Sequence, residues 1–365
     1  MFGIVTRRRF SSSIALLGKS YGRTVINPSS GFELTKPSFI PKSCIILSTP
    51  SNIPRVIEQV IQKSEDGIQF VVAGTDSVVP NSNRNGISSL WFDQPLNIVN
   101  SVEIDDISND NSTQNKNWSK VESNFRLKVS DTNTFDISLA NTSFVSDFGT
   151  TLFYLDSKLD HSGKALKELT VELPKGIVTE SSKIHEFDQW TPLYDHESEE
   201  PFLVTDFKGN LLKTINNKSA SGYLENNSKL MGLGSKDTEV YVKIFKGNNS
   251  LPFKYKVVAG GGGWGAKANI IALSPEAKIT KGDRIEFYML TPNDRFSDET
   301  IPIQEYIDKL TIECSYEEKG YSSYNDDQEI IVERAFGGGS EEEFKFNNIK
   351  HHSAGERISI DMDYI

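Results

Sequence analysis

The chain has 365 residues and a formal net charge of -11, with 39 Lys and Arg against 50 Asp and Glu. Beyond residue 17 no stretch concentrates the basic side chains, which disfavours a phosphate-neutralising stripe for RNA or DNA and an electrostatic grip on anionic lipid. No run of about 18 apolar residues occurs, so no membrane-spanning helix is expected, and two cysteines are too few for a disulfide framework or a cysteine-rich zinc site.

The first 32 residues carry Arg7, Arg8, Arg9, Lys19 and Arg23, with no acidic side chain before Glu33. Leaders rich in Arg and Ser and free of acids are the pattern of mitochondrial transit peptides, and the apolar run Ile14–Leu17 is too short for a secretory core. Arg8-Arg9 before Phe10, with Ser13 three residues on, resembles a two-step processing site and places the mature start near Gly18. A frayed basic tail is the alternative. Loss of residues 1–17, with three arginines, takes the charge to -14. The remaining chain of about 350 residues exceeds the size of one core, so two lobes are expected, 18–190 and 191–365.

Residues 43–49 form a short apolar strand, Pro50-Ser51-Asn52 and Pro54 open a helix with Val56, Ile57, Val60 and Ile61 on one face, and Gly67 precedes a second strand over 68–74. That succession predicts a βαβ unit. A strand over 86–92 follows, and then 101–124, too polar to bury much surface and expected to be a disordered insertion. Short strands are expected at 134–139, 151–155 and 169–173. Polar stretches cover 177–200 and 216–229. The second half predicts strands at 238–245, 253–258, 284–290, 311–314, 330–332, 344–346 and 357–362, with a helix over 301–310. The fold class is therefore mixed α/β, a two-lobed module of βαβ units with a strand-rich second half.

The most pronounced local feature is Gly260-Gly261-Gly262-Gly263-Trp264-Gly265-Ala266-Lys267, directly after a strand. Gly260, Gly262 and Gly265 satisfy the dinucleotide spacing, but residues 268–274 are too short before Pro275 for a clear helix, and Ala268 stands where a phosphate loop needs Ser or Thr. The commoner use of such glycines is close backbone approach to a neighbour or small ligand, with Trp264 as lid or packing anchor and Lys267 as partner for an anion. The ligand-binding candidates are Gly260, Gly262, Gly263, Trp264, Gly265 and Lys267. A second loop, 336–341, is expected either to face the same pocket or to be a plain turn.

His185, Asp188, Asp195 and His196 could hold a metal, against a solvated acidic loop as the alternative, and no metal site is assigned. His351 and His352 should point in opposite directions. Cys44 and Cys314 lie in apolar strand-like runs and are expected to be reduced and structural. No nucleophile elbow or paired acid and base stands out, so no catalytic residue and no cofactor is assigned.

Residues 43–93, through CIILSTP, IPRVIEQVIQKS, QFVVAGTD and GISSLWF, resemble the start of a FIST domain. The block FKYKVVAGGGGWGAKANIIALSPEAKITKGDRIEFYML resembles the carboxy-terminal part of fungal stand-alone FIST-domain proteins. The resemblance implies a two-part α/β module that binds a small, amino-acid-like or anionic ligand and passes a signal on. The expected function is that of a soluble, non-enzymatic binding or accessory module of the mitochondrial matrix that contacts a partner protein. The alternatives are a nucleotide- or phosphate-cofactor-dependent enzyme using residues 260–265, and an accessory factor of mitochondrial gene expression or respiration.

Overall fold

The computed structural model describes residues 18–103, 123–140, 151–156, 164–195, 200–232, 238–247, 251–260, 269–291, 301–315 and 328–364. The leader 1–17 and the centre of the polar insertion, 104–122, lie outside the described residues.

The first half supplies β1 (Ser20–Ile26), β2 (Ser43–Ser48), β3 (Gln69–Gly74), β4 (Ser77–Val78), β5 (Gly86–Phe92), β6 (Asn97–Glu103), β7 (Asn124–Lys128), β8 (Thr134–Ser138), β9 (Leu152–Leu155), β10 (Lys164–Glu172) and β11 (Ile184–Phe187). Helix α1 (Ile53–Ser64) joins β2 to β3, which pair in parallel. Pro54 fits the first turn, where its missing N–H costs nothing, and Ile53, Val56 and Val60 are buried on one face. The βαβ unit expected at 43–74 is thus present.

The second half supplies β12 (Thr191–Pro192), β13 (Phe202–Lys208), β14 (Leu211–Ile215), β15 (Lys218–Ser219), α2 (Ala220–Glu225), α3 (Ser228–Gly232), β16 (Glu239–Phe245), β17 (Phe253–Gly260), β18 (Ile271–Leu273) and β19 (Arg284–Leu290). Strands β13, β14, β18, β17, β16 and β19 pair in that order, all antiparallel, and β19 returns to pair with both β13 and β16. The result is a closed six-stranded barrel. Closure removes exposed strand edges, and alternate residues such as Val242, Ile244, Ile285 and Phe287 fill the interior.

The last strands are β20 (Lys309–Cys314), β21 (Ile330–Glu333), β22 (Ala335–Ser340), β23 (Phe344–Phe346), β24 (Ile349–His351) and β25 (Arg357–Asp361). They do not join the barrel. β21 extends the large twelve-stranded sheet beside β1, β23 pairs with β8, and β20, β22 and β25 form a five-stranded sheet with β4 and β11. Residues 301–364 were expected in one lobe with 191–290. They complete the N-terminal body instead, because their apolar faces share one core with β2, β3, β5 and β7–β10.

The mixed α/β class therefore holds only in its coarse form. The molecule is strand-rich, with several sheets, and among the described residues β2–α1–β3 is the β–α–β crossover. The helix expected over 301–310 is a single 3-10 turn, Ile303–Tyr306, because Asp308 takes a left-handed φ of 61° and Lys309 starts β20. The polar stretch 177–200 contains β11 and β12, and Ser101–Glu103 of the expected insertion finish β6.

The second glycine segment is neither a loop nor a pocket wall. Residues 335–340 form β22, buried along its whole length. A Cβ on Gly337 would stand 1.9 Å from the Thr311 carbonyl oxygen, and one on Gly339 would stand 2.2 Å from Ser77 Oγ. Glycine is required here by close approach within a core.

Candidate functional site

Of the six candidate ligand-binding residues, Gly260 lies within the described residues. It ends β17 opposite Ile271 of β18. Gly262, Gly263, Trp264, Gly265 and Lys267 lie outside the described residues. The described strands on either side of the glycines, β17 and β18, pair antiparallel, whereas the dinucleotide pattern places a helix N-terminus directly after the glycine turn.

A groove of about 620 Å³ opens beside Gly260, between helices α2 and α3 and strands β16 and β17. Leu224, Leu230, Val240 and Val257 form its apolar part, continuous with the barrel core. Met231 and Val258 line it while 69% and 56% exposed, a state that large apolar side chains leave when covered. Lys256 is the cation among the described lining residues, and it is ion-paired with Glu239. Tyr241 donates its hydroxyl to the other Glu239 oxygen at 2.6 Å.

The same barrel face runs on into a buried charge cluster. Register places Lys256 opposite Tyr241 and Lys254 opposite Lys243 on β17 and β16, so period-2 alternation puts all four on the outside of the barrel. There the body covers Tyr241, Lys243 and Lys254, while Lys256 stays partly exposed at the groove. The Lys254 side chain is fully buried, with Nζ 2.5 Å from Glu186, 2.8 Å from Glu356 and 3.3 Å from Asp188. Lys243 reaches Asp188 at 2.7 Å. Trp190 lies under both ammonium groups, 5.1 Å from Lys254 Nζ and 5.4 Å from Lys243 Nζ, and its indole N–H donates to Ser353 at 2.8 Å.

Burial alone would lower the Lys254 pKa, but Glu356, Glu186 and Asp188 outweigh it and hold the amine protonated. Burial likewise works against ionised Glu356, yet Lys254 and His351 pull its carboxyl well below the usual range. Glu356 also accepts the backbone N–H groups of His352 and Ser353 at 2.9 and 2.7 Å. The cluster is a charged joint between barrel and body. The run Phe253-Lys254-Tyr255-Lys256 gave no warning of it, since alternating lysines on a strand read as a solvated face.

A second buried carboxylate, Glu313, accepts the Ser82 N–H at 2.7 Å and the Tyr306 hydroxyl at 3.3 Å. Burial pushes its pKa up. The thiols of Cys44 and Cys314 are buried, unpaired and pushed up by burial, as inert structural cysteines are.

The described members of the considered metal set have other partners. His185 bonds Asp361 at 2.8 Å, Asp188 serves the two lysines, and His196 lies outside the described residues. No metal-binding cluster occurs among the described residues. His351 stacks on Phe344 at 4.7 Å while His352 faces Tyr241 at 5.7 Å, the divergence expected of neighbours on an extended chain. Among the described residues no helix is long and apolar enough to cross a membrane.

In comparisons with known proteins, no family model, no curated protein and no solved structure matches this chain.

Proposed function

We propose that the protein is a non-enzymatic binding module of the mitochondrial matrix, which holds a small anionic or amino-acid-like ligand, or a segment of a partner protein, in the groove at the end of β17. The observation that carries this is the position of the groove. Among the described residues its lining includes Val258, Ala259 and Gly260, and the glycine segment picked out by its composition begins at Gly260. The groove joins an apolar wall to one cation, Lys256, beside the carboxylates Glu225 and Glu239, and an apolar molecule with a negative group would compete with Glu239 for that lysine. Trp264 and Lys267 are proposed to contribute a ring and a second cation.

The likeness of 43–93 and 253–290 to FIST-type segments belongs to the same proposal, with body and barrel as its two parts. So does the location, which rests on the acid-free leader 1–17.

The test is a thermal-shift screen of residues 18–365 against amino acids, carboxylic acids, nucleotides and other mitochondrial metabolites. A ligand at about 100 times its Kd adds roughly 2.7 kcal/mol and raises the midpoint by degrees. The shift should vanish in Met231→Glu and in Trp264→Ala. A shift that survives both variants places the ligand elsewhere, and no shift with any compound leaves the partner segment as occupant. Import into isolated mitochondria tests the location, where a full-length, uncleaved chain left outside would end that part of the proposal.

A further inference from the structure

We infer that the groove and the barrel–body joint form one coupled unit, in which the Glu239–Lys256 pair at the groove governs the tightness of the joint through Tyr241 and Trp190. This rests on the groove being the binding site, and it adds what binding there would do.

Glu239 is held by two donors on separate oxygens, Lys256 on Oε1 and the Tyr241 hydroxyl on Oε2. Tyr241 is 2% exposed and stacks on Trp190, with ring centroids 4.3 Å apart and planes 15° from parallel. Trp190 presents its face to Lys254 and Lys243 and its N–H to Ser353, whose own N–H holds Glu356. Glu356 is the buried body carboxylate that pairs with Lys254. Five direct contacts therefore lead from a groove-lining ion pair to the centre of the joint without a gap. The rest of the path is walled by Tyr288 and Leu290, packed with Trp190 and Tyr241 in one small cluster.

An anion entering the groove meets Lys256 and competes with Glu239 for it. Glu239 then keeps Tyr241 as a donor, and a shift of its carboxylate moves the phenol ring along Trp190. The indole cannot follow freely, because it is fixed by Ser353 on one side and loaded by two cations on the other. Close-packed interiors are poorly compressible and transmit strain. Occupancy of the groove is thus read out as a change in how firmly Lys254 is held by Glu186, Asp188 and Glu356.

Amide hydrogen exchange on residues 18–365 tests this without a ligand. Lys256→Met mimics loss of the Glu239 partner, Tyr241→Phe removes only the relay hydroxyl, and Met231→Ala alters the groove outside the relay. Exchange in segments 184–190 and 351–357, which belong to the body, should rise about two- to thirtyfold in the first two variants. The double variant should show no more than the larger single effect, and Met231→Ala and the reference strand 86–92 should be unchanged. Unchanged exchange at 351–357 in Lys256→Met would overturn the coupling, and so would an equal rise in 86–92, which marks general destabilisation. A metabolite that shifts the thermal midpoint while leaving 351–357 untouched would sink the coupling alone and leave the binding reading intact.

Discussion

Gly260 and Gly337 each begin a glycine run, yet they meet opposite surroundings. At Gly337 the neighbouring main chain comes so near that a Cβ would stand 1.9 Å from the Thr311 oxygen. At Gly260 the nearest atom is the Ile271 side chain at 3.2 Å, and the residue is exposed at the rim of a groove. Glycine content alone does not say whether a segment gives way to a ligand or admits a neighbouring strand. What lies across from it decides, and here Gly260 stands at the rim of the groove while 337–339 is pressed into the body's core.

The largest expected effect breaks the body side of this contrast. Gly337→Ala must displace backbone, and should cost at least about 4 kcal/mol in urea unfolding, a large share of the stability of an ordinary domain. A variant within a degree of the wild-type midpoint would show that β20 and β22 can separate at no cost. Next comes the joint between the two regions. Lys254→Met takes the cation from the buried Glu356 and from Glu186, while Asp188 keeps Lys243, and should cost about 3–5 kcal/mol, visible as early unfolding of the barrel–body contact.

Two buried glutamates sharpen the comparison through pH. The folded pKa of Glu356 lies well below 4.5, so the stability it gives is complete above that pH and is lost as pH falls through the folded value. Glu313 has the opposite sign. Its folded pKa is raised above 4.5, so its contribution is complete below that pH and is lost as pH rises through the folded value. Midpoints followed from about pH 7 to pH 3 should show the acid-side fall flattened in Glu356→Gln and retained in Glu313→Gln. An unaltered acid limb in Glu356→Gln would remove Glu356 from the account of the joint. The smallest effect is Gly260→Ala, expected within about 1 kcal/mol of wild type, since the added methyl meets a side-chain carbon, Ile271 Cγ1 at 3.2 Å, that need give only a few tenths of an ångström, and the φ is not left-handed. A loss as large as that of Gly337→Ala would make the two glycine runs equivalent after all.

Much of the local structure was legible. The strands at 86–92, 284–290 and 344–346 have the bounds expected of them, and α1 stands where Pro54 and the Val56–Val60 spacing put it. Of the candidate site, Gly260 is the residue among the described residues that lines the groove. The groove depends on α2 and α3 crossing the barrel beside β16 and β17, and short helices of five or six residues leave no periodic trace in a polar stretch. The turn at 303–306 was overread as a helix for the converse reason, an apolar spacing whose continuation the left-handed Asp308 interrupts.

What the sequence determined by itself is which side chains share a face, because the twofold period of a strand is set by local backbone geometry. Lys254, Lys256 and the paired Tyr241 and Lys243 follow from it. Whether that face meets water was decided by the tertiary structure. Glu186, Asp188, Trp190 and Glu356 come from segments about 70 to 100 residues away, and only their folding against β17 turns a solvated-looking row of lysines into a buried joint.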